Sequence, residues 1–197
     1  RMTIWTKYAQ ATALRWTSHE DTADRRRKKR KEHHGPTPGR RTVRGRTSVL
    51  LGHHDPHDDE DLARIHRHVA DRAGMDFITV ERSFDLPAAL PALDRHGTVL
   101  FDSVTACLSE QMFPGPAPDA GAANRVLREL LDISRYLDHF IAVCDDIWHG
   151  GEDYRDWTEV YVRGLADICQ GLTAEFDVVC EMTAGLPHLW KGELPRV

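Results

Sequence analysis

Beyond position 46, short apolar runs alternate with amphipathic stretches in a regular order. The runs are Thr47–Leu51, Phe77–Val80, Thr98–Phe101, Phe140–Cys144 and Val178–Met182, each four or five residues long and rich in β-branched or aromatic side chains. That length and composition predict buried strands. Between them the apolar positions fall at helical spacing. Leu62, Ile65 and Val69 share one face of His57–Arg72, where Asp58, Asp59 and Glu60 crowd the first turn and suit the helix dipole. Leu86–Arg95 reads as a short helix with Pro87 in its first turn. Ala122–Asp138 carries Val126, Leu130, Ile133 and Leu137 on one stripe, after a break rich in Pro and Gly from Pro114 to Gly121. Tyr154–Glu175 carries Trp157, Tyr161, Leu165, Ile168 and Leu172. Thr6–Trp16 has weaker helical spacing through Tyr8, Ala11 and Leu14.

Strands that are apolar throughout and separated by helices predict an α/β fold, a three-layer parallel sheet covered on both faces. Ligands of such sheets sit beyond the carboxyl ends of the strands. The polar residues that follow each run are therefore the first candidates for chemistry: Gly52-His53-His54, Glu81, Asp102, Asp145-Asp146 and Ala184-Gly185. The histidines at 53, 54 and 57 with the aspartates around them match no defined zinc spacing and read as a polar turn.

Charge divides the chain. Its net charge is −5, yet between Arg25 and Arg46 eleven Lys or Arg residues stand against Glu32 alone. The expectation is a divergent, basic, partly disordered segment over 1–46 and an α/β nucleotide-binding domain over 47–197. The basic run raises nucleic-acid binding as an alternative, but it lacks interleaved aromatics to stack bases, and nucleic acid is not the expected partner. Cys107, Cys144, Cys169 and Cys180 form no C-x-x-C motif, which argues against a zinc ribbon or a disulfide framework. With no run of eighteen apolar residues and no signal-peptide pattern, a soluble cytoplasmic protein without a membrane span is expected.

Five segments, in order, resemble the adenosylcobinamide kinase/guanylyltransferase family of cobalamin biosynthesis. Asp58-Asp59-Glu60-x-x-Ala63-Arg64-Ile65-x-x-His68-x-x-x-Arg72 is similar to its D-x-E-M-x-x-R-I-x-x-H-x-x-x-R segment. Thr79-Val80-Glu81 resembles its T-x-E strand end, and Val99 to Thr105 its V-L-L-D-C-L-T. Leu108-Ser109-Glu110-Gln111-Met112-Phe113 resembles its L-S-N-L-L. Ala184-Gly185-Leu186-Pro187 followed by Lys191-Gly192 resembles its G-x-P-x-x-x-K-G tail. The collinear match runs from about Thr47 to Gly192.

The resemblance implies a P-loop NTPase type of sheet and a bifunctional enzyme. Such an enzyme phosphorylates adenosylcobinamide and then transfers GMP from GTP through a guanylylated histidine, here His68. It implies a nucleotide site drawn from Gly52, His53, His54, Arg64, Val69, Ala70, Asp71, Arg72, Glu81 and Asp102. GTP or ATP would be the nucleotide, Mg2+ would be held through water by Asp102, and a corrinoid (adenosylcobinamide or its phosphate) would be the acceptor. Family members assemble as homo-oligomers, which suggests a trimer. Arg64 and Arg72 lie one helical turn either side of His68, where both can reach phosphates. Glu81 suits guanine N–H or ribose hydroxyls.

The family's opening G-G-x-R-S-G-K-S loop has no counterpart in Arg1-Met2-Thr3-Ile4-Trp5-Thr6-Lys7-Tyr8-Ala9, where Trp5 takes the place of the phosphate-binding lysine. Its E-V-G-x-G-I-V-P segment is replaced by Asp146-Ile147-Trp148-His149-Gly150-Gly151-Glu152. Weak triphosphate affinity and a diminished kinase step are the expectation. The alternative is a catalytically degenerate member that binds nucleotide, corrinoid or a partner without turnover.

Overall fold

The computed structural model describes residues 10–12, 48–52, 78–147 and 155–194. Their strands in chain order are β1 (Gln10–Thr12), β2 (Ser48–Leu51), β3 (Ile78–Glu81), β4 (Thr98–Asp102), β5 (His139–Val143), β6 (Val179–Thr183) and β7 (Leu186–Lys191). The helices are α1 (Val104–Met112), α2 (Ala122–Tyr136) and α3 (Asp156–Glu175), with a 3-10 helix over Leu86–Ala92.

Strands β3-β2-β4-β5 form a parallel sheet in that order. In a parallel ladder, residues in register project to the same face. Val80, Leu50, Phe101 and Ala142 are in register, and all four pack into one cluster with α1, α2 and α3. Val49, Leu100 and Ile141 take the opposite face and are also buried. Burial on both faces is why β2, β4 and β5 read as continuous apolar runs, whereas β3 exposes Thr79 and Glu81 on one face.

The helices cover their face by stripe packing. Ala122, Val126, Leu130 and Ile133 along α2, and Leu137 at its C-cap, are all fully buried. Gly164 on α3 lets the two helices close together, because a Cβ there would stand 2.9 Å from the Cβ of Ala123. Phe140 meets Phe101 at a 6.4 Å centroid distance and Phe176 edge-on at 6.2 Å, which ties the loop after α3 to the sheet.

Several expectations need correction. Gln10–Thr12 is a strand rather than part of a helix, pairing antiparallel with Glu181–Thr183, since a sheet edge overrides weak helical spacing. The 86–95 segment is 3-10 and ends at Ala92, because Pro87 and Pro91 supply no N–H to an α-helical ladder. β6 does not extend the parallel sheet among the described residues; it lies between β1 and β7 in an antiparallel sheet. Ala184-Gly185 is accordingly a two-residue hairpin turn with both φ values positive, 49° and 80°, as a type I′ turn requires.

Leu130→Ala is expected to cost about 2–5 kcal/mol, and Leu186→Ala, at a side chain 72% exposed, less than about 0.5 kcal/mol. Urea denaturation of both variants checks the contrast; equal losses would contradict this placement of the core.

Candidate functional site

The parallel strands end level with one another. Leu51 stands opposite both Glu81 and Asp102, and Asp102 opposite Val143. Glu81 and Asp102 are therefore two strand spacings apart, about 9–10 Å by sheet geometry, and by pleat alternation both lie on the face away from α1–α3. The chain passes from β2 to β3 on one side and returns across β2 to β4 on the other. That reversal makes the ends of β2 and β4 the switch point of the sheet, the place where parallel sheets take their ligands.

Gly52 sits at that switch point, packed against the end of β4. Its N–H donates to the Asp102 carbonyl at 3.0 Å. A Cβ at this position would come within 2.6 Å of the Ser103 carbonyl oxygen and 2.9 Å of both Cys107 Cβ and the Phe101 ring. Glycine is what lets the two strand ends stay joined beyond the sheet.

Beside Gly52, at the ends of β4 and β5, Ser103, Thr105 and Asp145 form a compact polar cluster. The Ser103 and Thr105 hydroxyl oxygens are 2.7 Å apart. Ser103 donates to Asp145 Oδ2 at 3.2 Å, and Thr105 makes a very short hydrogen bond to the same oxygen. Ser103 also caps α1, accepting from the Ala106 N–H at 3.2 Å. Beneath them, the Tyr161 hydroxyl donates to the Thr105 carbonyl at 2.9 Å. Burial first, then the nearby Cys144 and Asp145, holds the Tyr161 phenol well above its ordinary range, so it stays a neutral donor.

A second network fixes the loop that follows Glu81. Buried Gln111 donates to the Ser83 carbonyl at 2.8 Å and to Glu129 Oε2 at 3.0 Å, and accepts from Arg125 Nε at 2.7 Å. Arg125 reaches on to Asp119 at 2.9 Å, and that hydrogen bond holds the Asp119 carboxyl below its usual range. The N–H of Leu86 donates to Glu129 at 3.3 Å. Cys107 packs into this network, and burial, followed by the Glu129 charge, pushes its thiol up to about 12.

Of the residues expected in a nucleotide site, Gly52, Glu81 and Asp102 are brought to the strand ends. His53, His54, Arg64, His68, Val69, Ala70, Asp71 and Arg72 lie outside the described residues. Asp145 was expected from its place after a strand. The hydroxyls of Ser103 and Thr105 were not, although they belong to the segment that carries Asp102. A serine directly after an apolar strand and ahead of a helix is a capping signal, and that signal could have found Ser103. Among the described residues no group of three His, Cys, Asp or Glu side chains is placed to hold a metal ion, and no helix is long and apolar enough to cross a membrane.

Comparison with known proteins adds one finding. The family model described as cobinamide kinase / cobinamide phosphate guanyltransferase matches residues 42–189, which takes in every strand of the parallel sheet and the polar cluster at its ends. A search of curated proteins matched none.

Thr105→Val keeps the side-chain shape but removes the hydroxyl that bonds Asp145. It should cost about 1–3 kcal/mol in a denaturant titration, and an unchanged midpoint would contradict the bonded cluster. Cys107 ionises near 9.0 when unfolded and near 12 when folded, so the folded state favours the neutral thiol. The stability it contributes is complete below pH 9 and is lost as pH rises toward 12. The urea midpoint of the wild type should fall across that interval by more than that of Cys107→Ala, and iodoacetamide at pH 8 should leave native Cys107 unmodified.

Proposed function

This chain belongs to the cobinamide kinase / cobinamide phosphate guanyltransferase family, and on that footing we propose that it transfers GMP from GTP to cobinamide phosphate through an intermediate on His68. The observation that supports the reading is the coincidence of the family match with a parallel sheet whose strand ends carry Glu81, Asp102, Ser103, Thr105 and Asp145. Enzymes of this family act on nucleotides, and a crevice at the carboxyl ends of parallel strands is where such sheets take them.

In the proposed reaction a neutral imidazole nitrogen of His68 attacks the α-phosphorus of GTP, and the bond to the bridging oxygen breaks to release pyrophosphate. A phosphate oxygen of the corrinoid then attacks the same phosphorus and displaces the imidazole. Splitting one displacement into two lets a single nucleotide pocket serve both steps. Arg64 and Arg72, at helical spacing on either side of His68, are the proposed partners of the phosphates. Glu81 is the proposed acceptor for guanine or ribose, which would favour GTP over a nucleotide lacking matching donors.

The donors at the strand ends are carboxylate and hydroxyl oxygens, the ligand type that Mg2+ prefers. One or two carboxylates with substrate phosphates and water are enough to complete its shell. Asp102 is the proposed holder, with Asp145 beside it. Bound there, Mg2+ would supply charge neutralisation to the phosphates.

One observation favours a second reading. The first 46 residues contain no glycine-rich loop with a lysine to cradle a triphosphate. A member that binds nucleotide or corrinoid without turnover is the alternative.

GTP labelled at its α-phosphate separates the two. Incubated with Mg2+, the wild type should acquire acid-labile label and His68→Ala none, and added cobinamide phosphate should discharge it. Asp102→Asn should slow labelling by about 10²–10³-fold, the usual loss for one preorganised charge-stabilising group. Absence of label on the wild type, with binding retained, would replace the enzyme reading with the binding one.

A further inference from the structure

Cys144 follows the last residue of β5 and directly precedes Asp145, while Cys169 lies on α3, which packs against the same side of the sheet. Their sulfurs are 3.5 Å apart. Cys107 and Cys180 are placed differently: Cys107 faces the Ser83 carbonyl at 3.5 Å within the Gln111 network, and Cys180 is buried on β6. All four are free thiols, so the pair at 144 and 169 is a contact between two reduced side chains.

We propose that Cys144 and Cys169 are an oxidation site, closing into an intramolecular disulfide when the protein meets a small hydroperoxide. The closure is short. A disulfide places its sulfurs about 2.0 Å apart, so each needs to move by less than about 1 Å from the observed contact. The two cysteines are also unequal. Cys144 is 1% exposed, whereas Cys169 is only partly buried and is the more open of the two to a small oxidant. The more open Cys169 therefore meets the oxidant first, and the enclosed Cys144 is the resolving thiol.

The chemistry balances in two steps. The Cys169 thiolate attacks one peroxide oxygen, the O–O bond breaks, and hydroxide leaves, giving a sulfenic acid at Cys169. The Cys144 sulfur then attacks that sulfur, the S–O bond breaks, and water leaves with the Cys144 proton. Two thiols are oxidised and one peroxide is reduced. The bond formed joins β5 to α3 at the residue next to the carboxylate that Ser103 and Thr105 bind.

The test uses the full chain, reduced, freed of reductant, treated with hydrogen peroxide, then denatured, alkylated and digested without reduction. The expected result is a fall from four alkylatable thiols to two, a linked peptide pair containing Cys144 and Cys169, and reversal of both by dithiothreitol. In Cys144→Ser, dimedone should trap a sulfenic acid at Cys169; in Cys169→Ser, Cys144 should stay reduced. Four thiols persisting after peroxide, a link through Cys107 or Cys180, or oxidation of Cys169 to sulfinic acid with Cys144 still free would each overturn the proposal and leave the pair as packed core thiols. The wild-type peptide map decides the matter even if either variant fails to fold.

Discussion

The parallel ladder β3-β2-β4-β5 is the constraint on which the rest depends. Its central strands β2 and β4 are buried on both faces, so their backbone groups have no water to turn to and pair with a neighbour on each side. Full pairing fixes the register, and the register makes the strands end at one level. Whatever follows them is then gathered at a single edge: Gly52 after β2, Glu81 ending β3, Asp102 and Ser103 at the end of β4, and Asp145 just past β5. The large side chains beneath, among them Phe101, Phe140 and Phe176, contribute about 1.5–3 kcal/mol each by burial, and they hold the ladder against the helices.

Two polar networks convert that scaffold into defined loop geometry. One is the trio Ser103, Thr105 and Asp145, tied to α3 through Tyr161. The other runs from Ser83 through Gln111 to Glu129, Arg125 and Asp119. Each satisfies groups that would be costly to bury alone. Together they hold the segments that follow β3, β4 and β5 in defined positions.

Much of this was legible in the sequence because it rests on periodicity. Apolar runs of four or five residues identified β2 to β5, and the stripe from Val126 to Leu137 identified α2, with boundaries shifted by one or two residues. What could not be read is what depends on partners distant in sequence. Gln10–Thr12 has too little pattern of its own and becomes a strand only beside β6. β7, with all six residues exposed, has no buried face to impose alternation, and its turn uses Ala184-Gly185 rather than an Asn-Gly signal. α1 is short and has polar Ser109 and Glu110 beside its apolar residues, which blurs its stripe. In the candidate site, Asp102 and Glu81 were visible as polar residues that end apolar runs. Thr105 was not, since its bond to Asp145 spans forty positions.

The central claim is that the strand ends at 52, 81, 102–105 and 145 form one nucleotide-binding edge. Hydrogen–deuterium exchange of the full chain, with and without GTP and Mg2+, tests it most directly. The account predicts that nucleotide slows exchange in the peptides covering those strand ends together, while the β6–β7 hairpin stays unchanged. Slowed exchange confined to the hairpin or to the far ends of the strands, with no change at 102–105, would contradict it.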